Sequence, residues 1–367
     1  MKLRNKTADI VKGIAILLII FGHSICAHTI NYNDNLVFNI IYSFHVPLFF
    51  AVAGYFAYGK NDNRWMRKKS FMVLVPFLVF SVLNYIVGYI PGYPGLVWHN
   101  LGISLYIEYL FLYNWGLWFL VVLWWCYFWI WNIDNSNSVG QFCGNSDSRS
   151  FCFEPYVSRR TFVFWLGAIL RIGIMLVIPA LFHFGLMFQN VPYKNIFGVS
   201  QVPYYFWFFF GGYLVAKNKD FLSKYMYRIL GLGAISYMAI MITTNFDGGW
   251  TSTEFSSPMV VVACFGWWTL IRITLQAVFG ILAIILISKI LSRFRIFDVI
   301  AYIGTMTLAL FILSGRFLSW GFGGGWIDIV TGSIIAFIIS YLIIQLVKRI
   351  KWADIILFGN YKRMRNE

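Results

Sequence analysis

Long apolar stretches separated by short polar ones form the main pattern along this chain. A helix needs about 20 mostly apolar residues to cross the hydrocarbon core of a bilayer. About ten stretches approach or reach that length: residues 9–30, 36–59, 71–90, 113–132, 161–183, 202–217, 226–244, 268–291, 297–318 and 326–348. They are continuous, whereas strands of a membrane barrel would alternate apolar and polar residues. The pattern predicts an all-α, polytopic membrane helix bundle of about ten transmembrane helices, a single domain over residues 1–367 with a polar loop at 133–160.

Basic residues between these stretches predict how the bundle is oriented. They collect at the amino terminus, in alternate loops and in the tail, at positions 2–6, 60–69, 149–160, 217–228, 289–295 and 348–365. The opposite loops hold few basic residues, chiefly Lys194 and Arg316. Because Lys and Arg accumulate in cytoplasmic loops, both termini and the 133–160 loop are predicted to be cytoplasmic.

The composition agrees with a multi-pass membrane protein. Apolar residue types make up 60% of the chain and charged types 12%, whereas soluble domains contain about 25% charged residues. This excludes a cytosolic globular enzyme, a secreted disulfide scaffold and a disordered binder. The formal net charge of +15 follows from the basic loops, so membrane lipids rather than nucleic acid are the expected partners. The five cysteines show no zinc-binding spacing, and no metal site is predicted.

Two ionisable residues in the first apolar stretch are the first candidates for chemistry, because charges inside a membrane are costly. Lys12 and His23 are eleven residues apart, so on a helix they share one face and lie about 16 Å apart along the axis. The ammonium group would lie near one membrane surface and the titratable imidazole deeper in the membrane. This arrangement suits a substrate with an anionic head and a reactive end. The alternative is that Lys12 extends to the lipid headgroups and His23 is a hydrogen-bonded packing residue.

Three more ionisable residues lie in apolar stretches. His45 precedes Pro47, which permits a kink, and lies at a depth similar to that of His23, so the two histidines are expected to face one cavity. Arg171 and Arg272 keep their protons. Each therefore needs a polar cavity, a bound anion or an acidic partner, and a purely structural ion pair remains the alternative.

Two further groups flank the apolar stretches. The basic cluster KNDNRWMRKK lies at 60–69. It either sets the membrane topology and contacts anionic lipid headgroups, or it binds phosphates through Arg64 and Arg67, with Lys69 nearby. Trp118 belongs to an aromatic-rich segment, and such segments are typical of lipid-facing or interfacial positions.

Several of these segments resemble one family. DIVKGIAILLIIFGHS is similar to the opening helix of the integral-membrane acyltransferase-3 family, in which a basic residue, ten residues and a histidine follow one another, here Lys12 and His23. FHVPLFFAVAGY, which contains His45, resembles the second-helix motif, and GLWFL, which contains Trp118, resembles a later element. Two positions depart from the pattern. Pro76 follows Arg64-x-x-Arg67 at a longer distance than usual, and Ser314 stands where a histidine is common.

The resemblance implies an acyltransferase in the bacterial inner membrane. Its acyl donor would be acyl-CoA, usually acetyl-CoA, with no permanently bound cofactor, and its acceptor a hydroxyl of a surface glycan or a lipid-linked oligosaccharide. His23 would serve as general base or carry the acyl group transiently. Lys12 and the basic cluster that contains Arg64, Arg67 and Lys69 would hold the phosphates of CoA. The remaining candidates would shape the cavity or bind substrate: His45, Trp118, Arg171 and Arg272.

Two other classes of protein fit part of the pattern. Buried arginines and histidines also suit a transporter of a lipid-linked sugar or an anionic metabolite. A membrane regulator without catalysis would need neither histidine.

Overall fold

The computed structural model describes residues 5–59, 62–86, 117–138, 198, 201–244 and 258–361. This part of the chain is built of helices joined by turns, without strands. Its twelve α-helices are α1 (Lys6–His28), α2 (Leu36–Tyr42), α3 (His45–Ala57), α4 (Asn63–Ile86), α5 (Trp118–Ser138), α6 (Val202–Lys217), α7 (Lys219–Thr243), α8 (Pro258–Leu291), α9 (Asp298–Ile303), α10 (Thr307–Ser314), α11 (Trp326–Arg349) and α12 (Lys351–Phe358). The predicted all-α class is confirmed for the described residues.

Several of these helices have the length and composition of membrane spans, and the chain is an integral membrane protein. Within the described ranges five qualify: α1, α2 with α3, α7, α8 from Gly266 onwards, and α11. A sixth is formed if the bent pair of α9, with the 3₁₀ turn before it, and α10 is one span. The total of about ten spans and the side on which the termini lie stay predictions. The stretch 161–183, with Arg171, lies outside the described residues.

The start of α4 corrects one predicted boundary. The sequence predicts that the basic cluster at 60–69 lies in a loop, but α4 begins at Asn63, so Arg64, Arg67 and Lys69 lie in its first two turns. The reason is local, because the carboxylate of Asp62 accepts a hydrogen bond of 2.7 Å from the backbone N–H of Trp65 and thereby satisfies a donor that the helix end leaves open.

Two other predicted segments differ from the structure, and a third agrees with it. Helix α5 continues to Ser138, into the stretch 133–160 that was predicted to be a polar loop; residues 139–160 lie outside the described part. The segment 297–318 is interrupted by a bend of 60° between α9 and α10. The predicted stretch 268–291 agrees with the part of α8 from Gly266 to Leu291. Helix α8 breaks at Gly266, whose φ of 80° is readily adopted only by glycine.

The spans divide into central and peripheral ones. In the most apolar stretches of α1 and of α2 with α3, 56% and 61% of the residues are buried, against 22% for α7 and 28% each for α8 and α11. The peripheral helices expose large apolar side chains such as Leu232, Trp268 and Leu342, as expected for surfaces that face lipid. The candidate residues His23 and His45 therefore lie on the central helices.

Glycines bring the central helices close to their neighbours. A Cβ atom on Gly54 of α3 would collide with the carbonyl oxygen of Phe209 of α6, and one on Gly212 of α6 would collide with that of Ala51. Gly13 of α1 meets the backbone of Ile300 of α9 in the same way. Such contacts between small residues hold membrane helices together by close packing, and here they keep α1 and α3 in place.

Candidate functional site

A cavity of about 260 Å³ lies between α1, α3, α4, α5 and α10. Its walls are mostly apolar and aromatic, with two lysines among them. The lining residues are Lys12, Ile19, Val46, Phe49, Val52, Ala53, Phe56, Lys69, Met72, Val73, Trp118, Phe119, Leu123, Tyr127, Thr307, Leu308 and Phe311. Such a concave, largely apolar site with few polar groups is typical of small-molecule binding.

The two lysines lie at the same end of this cavity, which we call the lysine end. The ammonium nitrogen of Lys12 lies 5.8 Å from the ring centroid of Phe56, near the end of α3. The ammonium group of Lys69 donates a hydrogen bond of 3.2 Å to the phenol oxygen of Tyr127, two turns into α5.

The other end of the cavity is lined by aromatic rings. The ring of Phe119 lies 6.0 Å from that of Phe49, near the start of α3, and 5.3 Å from that of Phe311 on α10. Trp118 also lines the wall and packs against Tyr205, with 5.3 Å between the ring centroids. The cavity thus runs from a cationic end to an apolar end along the direction of α3.

The two lysines differ in how far their charge is compensated. The ammonium group of Lys12 lies 2.7 Å from the carboxylate of Asp9, one turn earlier on α1, and both side chains are largely buried. In the part of the chain that the structure describes, Lys69 contacts the ring and hydroxyl of Tyr127 rather than a carboxylate. Lys69 therefore offers an anion the less compensated charge.

His23 lies beyond the apolar end of the cavity. Helix α1 is continuous from Lys6 to His28, so Lys12, Ile19 and His23 share one face. Lys12 and Ile19 line the cavity, whereas His23, one turn beyond Ile19, is not among its lining residues. The imidazole is half-buried, and one turn of α1 separates it from the space where a substrate would fit.

His23 belongs to a cluster with Tyr42 and His45, which we call the imidazole cluster. Nδ1 of His23 lies 2.6 Å from the hydroxyl oxygen of Tyr42. The rings of His23 and His45 are perpendicular, with 6.4 Å between their centroids, and the rings of Tyr42 and His45 are 4.5 Å apart. The structure therefore brings the two predicted histidines together.

The break between α2 and α3 builds this cluster. The side chain of Asn35 accepts hydrogen bonds from the N–H groups of Val37 and Phe38 and caps α2. Helix α2 then ends at Tyr42 and α3 begins at His45. His45 is fully buried, and its Nδ1–H donates a hydrogen bond of 3.0 Å to the carbonyl oxygen of Ile41. Because a carbonyl oxygen only accepts, this bond assigns the proton of neutral His45 to Nδ1.

Not all of the predicted site residues meet at the cavity. Lys12, Lys69 and Trp118 line it. Arg64 and Arg67 are exposed on the first turns of α4 and do not form part of the wall. Arg272 is half-buried on the peripheral helix α8, also away from the wall.

The sequence reasoning missed three residues of the site. Asp9 is the ion-pair partner of Lys12, and the spacing of three residues, which brings such side chains together on a helix, could have revealed it. Tyr42 and Tyr127 contact His23 and Lys69 from neighbouring helices, and no spacing along the chain reveals such contacts. No group of three or more His, Cys, Asp or Glu residues that could hold a metal ion occurs in the described ranges.

The chain is similar to known proteins in two comparisons. A family model described as an acyltransferase domain, that of the acyltransferase-3 family, matches residues 5–357. The nodulation protein NolL of Sinorhizobium fredii is 35% identical over 88 residues, which make up 22% of this chain and 24% of that protein. The match thus spans about a quarter of that relative. No solved structure matches the chain.

Proposed function

The chain belongs to the acyltransferase-3 family and is a membrane-bound acyltransferase, and on that premise we propose its donor and acceptor. The donor is acyl-CoA, carrying an acetyl or another short acyl group. The acceptor is a hydroxyl of a cell-surface polysaccharide or of its lipid-linked precursor. The observation that carries this proposal is the cavity itself, which has ammonium groups at one end and an imidazole one helical turn beyond the other.

The charge pattern supports the way in which the donor binds. The basic loops favour a cytoplasmic location for the lysine end, in the inner membrane of a bacterium. The phosphates of CoA then bind to Lys69 and Lys12, with the exposed Arg64 and Arg67 nearby at the start of α4. The uncharged arm of the donor lies along the apolar wall, so that its thioester reaches the end near Ile19.

The chemistry at that end needs a base. The acceptor oxygen attacks the thioester carbonyl carbon while Nε2 of His23 takes the hydroxyl proton. The carbon–sulfur bond then breaks, and the CoA thiolate takes the proton back from the imidazolium, which leaves an ester and free CoA. The second route, in which Nε2 of His23 carries the acyl group before the acceptor does, uses the same nitrogen.

The remaining predicted residues have supporting roles in this proposal. His45 packs beside Tyr42 and shapes the imidazole cluster, and Trp118 forms part of the cavity wall. Arg272 lies away from the cavity, and we assign it, with Arg171, to the binding of an anionic acceptor.

The test uses the full-length protein in lipid nanodiscs with radiolabelled acetyl-CoA and a lipid-linked glycan fraction. Release of CoA thiol that depends on the acceptor, together with an acetylated glycan seen by mass spectrometry, is the expected result. In a parallel experiment with vesicles, movement of a labelled lipid-linked sugar without release of CoA would instead support a transporter. Absence of both activities would favour a regulator without catalysis.

A further inference from the structure

The hydroxyl of Tyr42 lies between two side chains of α1. Its oxygen is 2.6 Å from Nδ1 of His23 and 3.4 Å from the sulfur of Cys26. Tyr42 itself is buried. The three side chains therefore form a short row of polar atoms that includes the proposed base.

The surrounding packing holds the tyrosine ring in this position. A Cβ atom on Gly22 would come within 2.9 Å of Cε2 of Tyr42, so the glycine provides the space for the ring against α1. The ring packs against Phe38 at 3.9 Å and against His45 at 4.5 Å between centroids. Since the ring is held on three sides, its hydroxyl has little freedom to leave the imidazole.

We propose that Tyr42 is a positioning residue that sets the tautomer of His23, an inference that rests on the proposed function. Nδ1–H of His23 donates to the oxygen of Tyr42, and the hydroxyl proton of Tyr42 is directed to the sulfur of Cys26. Nε2 of His23 then carries the lone pair that accepts the proton of the acceptor hydroxyl. If Tyr42 donated to Nδ1 instead, the proton of neutral His23 would lie on Nε2, and that nitrogen would not act as a base.

Tyr42→Phe removes only the hydroxyl and is the direct variant for this inference. We expect its kcat to fall about 10- to 100-fold, because the imidazole loses the partner that selects its tautomer, while KM for acyl-CoA changes by less than about twofold, since the lysine end is untouched. Cys26→Ala should lower kcat less than Tyr42→Phe does. Cys26→Ser should keep the kcat that Cys26→Ala loses, because a serine oxygen also accepts a hydrogen bond. A Tyr42→Phe variant with the kcat of the original protein would overturn the assignment.

Tyr237→Phe is the matched control for the loss of a buried phenol hydroxyl. That hydroxyl lies 2.9 Å from the hydroxyl of Ser43 and 3.1 Å from the carbonyl oxygen of Ile40, and it therefore also bonds to the region around α2. Its removal should lower thermal stability and leave kcat within about twofold, since it does not alter the imidazole. An equal loss of kcat in both variants would assign Tyr42 to stability alone and would overturn its positioning role.

A second measurement is independent of turnover. Histidine labelled with ¹⁵N in the ring reports the tautomer by NMR, and comparison with His23→Gln identifies the His23 signals in the detergent-solubilised protein. We expect the Nδ1–H form in the original protein and a mixture in Tyr42→Phe. The Nε2–H form in the original protein would overturn the inference. If no CoA is released by any variant, the proposed function fails, while the NMR result still decides the tautomer.

Discussion

The lysine end of the cavity and the imidazole cluster differ in the way their polar groups are compensated. At the lysine end, charges are present and are met by the carboxylate of Asp9 and the phenol of Tyr127. In the imidazole cluster, His23 and His45 are held by hydrogen bonds to a hydroxyl and a carbonyl group. The first arrangement suits the binding of an anion and the second suits the transfer of a proton. Substitutions at the lysine end should therefore change KM, and those in the cluster should change kcat.

The largest effect is expected from His23→Ala. Loss of the base should lower kcat by about 10³-fold, while insertion into the membrane and the KM for acyl-CoA stay the same, because the helix and the lysines remain. CoA release and acetylation of the glycan measure the effect. His28→Gln, five residues further along α1, is the matched control and should keep kcat near its original value. Normal glycan acetylation by His23→Ala would rule out this mechanism.

Filling the cavity between the two ends should give the next largest effect. Ala53 lines the cavity, and Ala53→Trp places an indole where the uncharged arm of the donor lies. We expect kcat/KM to fall about 100-fold, mainly through KM, because the donor loses the space that it needs. Ala239→Trp, at an exposed position of the peripheral helix α7, is the control. Unchanged KM in Ala53→Trp would mean that the donor binds elsewhere.

The two lysines should respond differently to replacement by methionine. Lys69→Met should raise KM for acyl-CoA about tenfold, because this charge is the less compensated one and the donor loses a phosphate contact. A tenfold change in affinity corresponds to about 1.4 kcal/mol of binding free energy. Lys12→Met should raise KM less but should lower thermal stability more, since it leaves the buried carboxylate of Asp9 without its ion pair.

The double variant Asp9→Asn with Lys12→Met separates binding from stability. It should recover the thermal stability that Lys12→Met loses, because the buried carboxylate at position 9 is then also removed. Titrations with acyl-CoA and thermal unfolding curves measure both quantities. Equal changes in KM and stability for Lys12→Met and Lys69→Met would contradict the difference between the two charges.

The smallest effect is expected at the exposed start of α4. Arg64→Gln or Arg67→Gln should raise KM for acyl-CoA about two- to threefold at low ionic strength, because exposed charges are screened by water and salt. The difference should vanish at about 0.5 M salt. An effect that persists in high salt would mean that these guanidinium groups bind the donor in a desolvated site.

The sequence predicted features that depend on a single helix. The apolar run around Lys12 and His23 implied one membrane helix, and its period placed both side chains on one face, as α1 has them. The start of α4 was predicted wrongly because the apolar pattern begins at residue 71, whereas the cap at Asp62 lets the helix begin among polar residues. Apolar periodicity carries no information about such a cap.

Hydrophobic runs and basic loops along the chain were enough to indicate a membrane helix bundle, because the bilayer restricts spanning segments to a few patterns. Its family was indicated by the resemblance of the segments around Lys12, His23 and His45 to known motifs. The contacts that give each group its environment came only from the folded chain. Tyr42 meets His23 and Tyr127 meets Lys69 across helix interfaces. Gly22 leaves the space for the ring of Tyr42, and Gly54 lets the backbones of α3 and α6 approach closely. These distances depend on packing between segments far apart in sequence, and no local pattern encodes them.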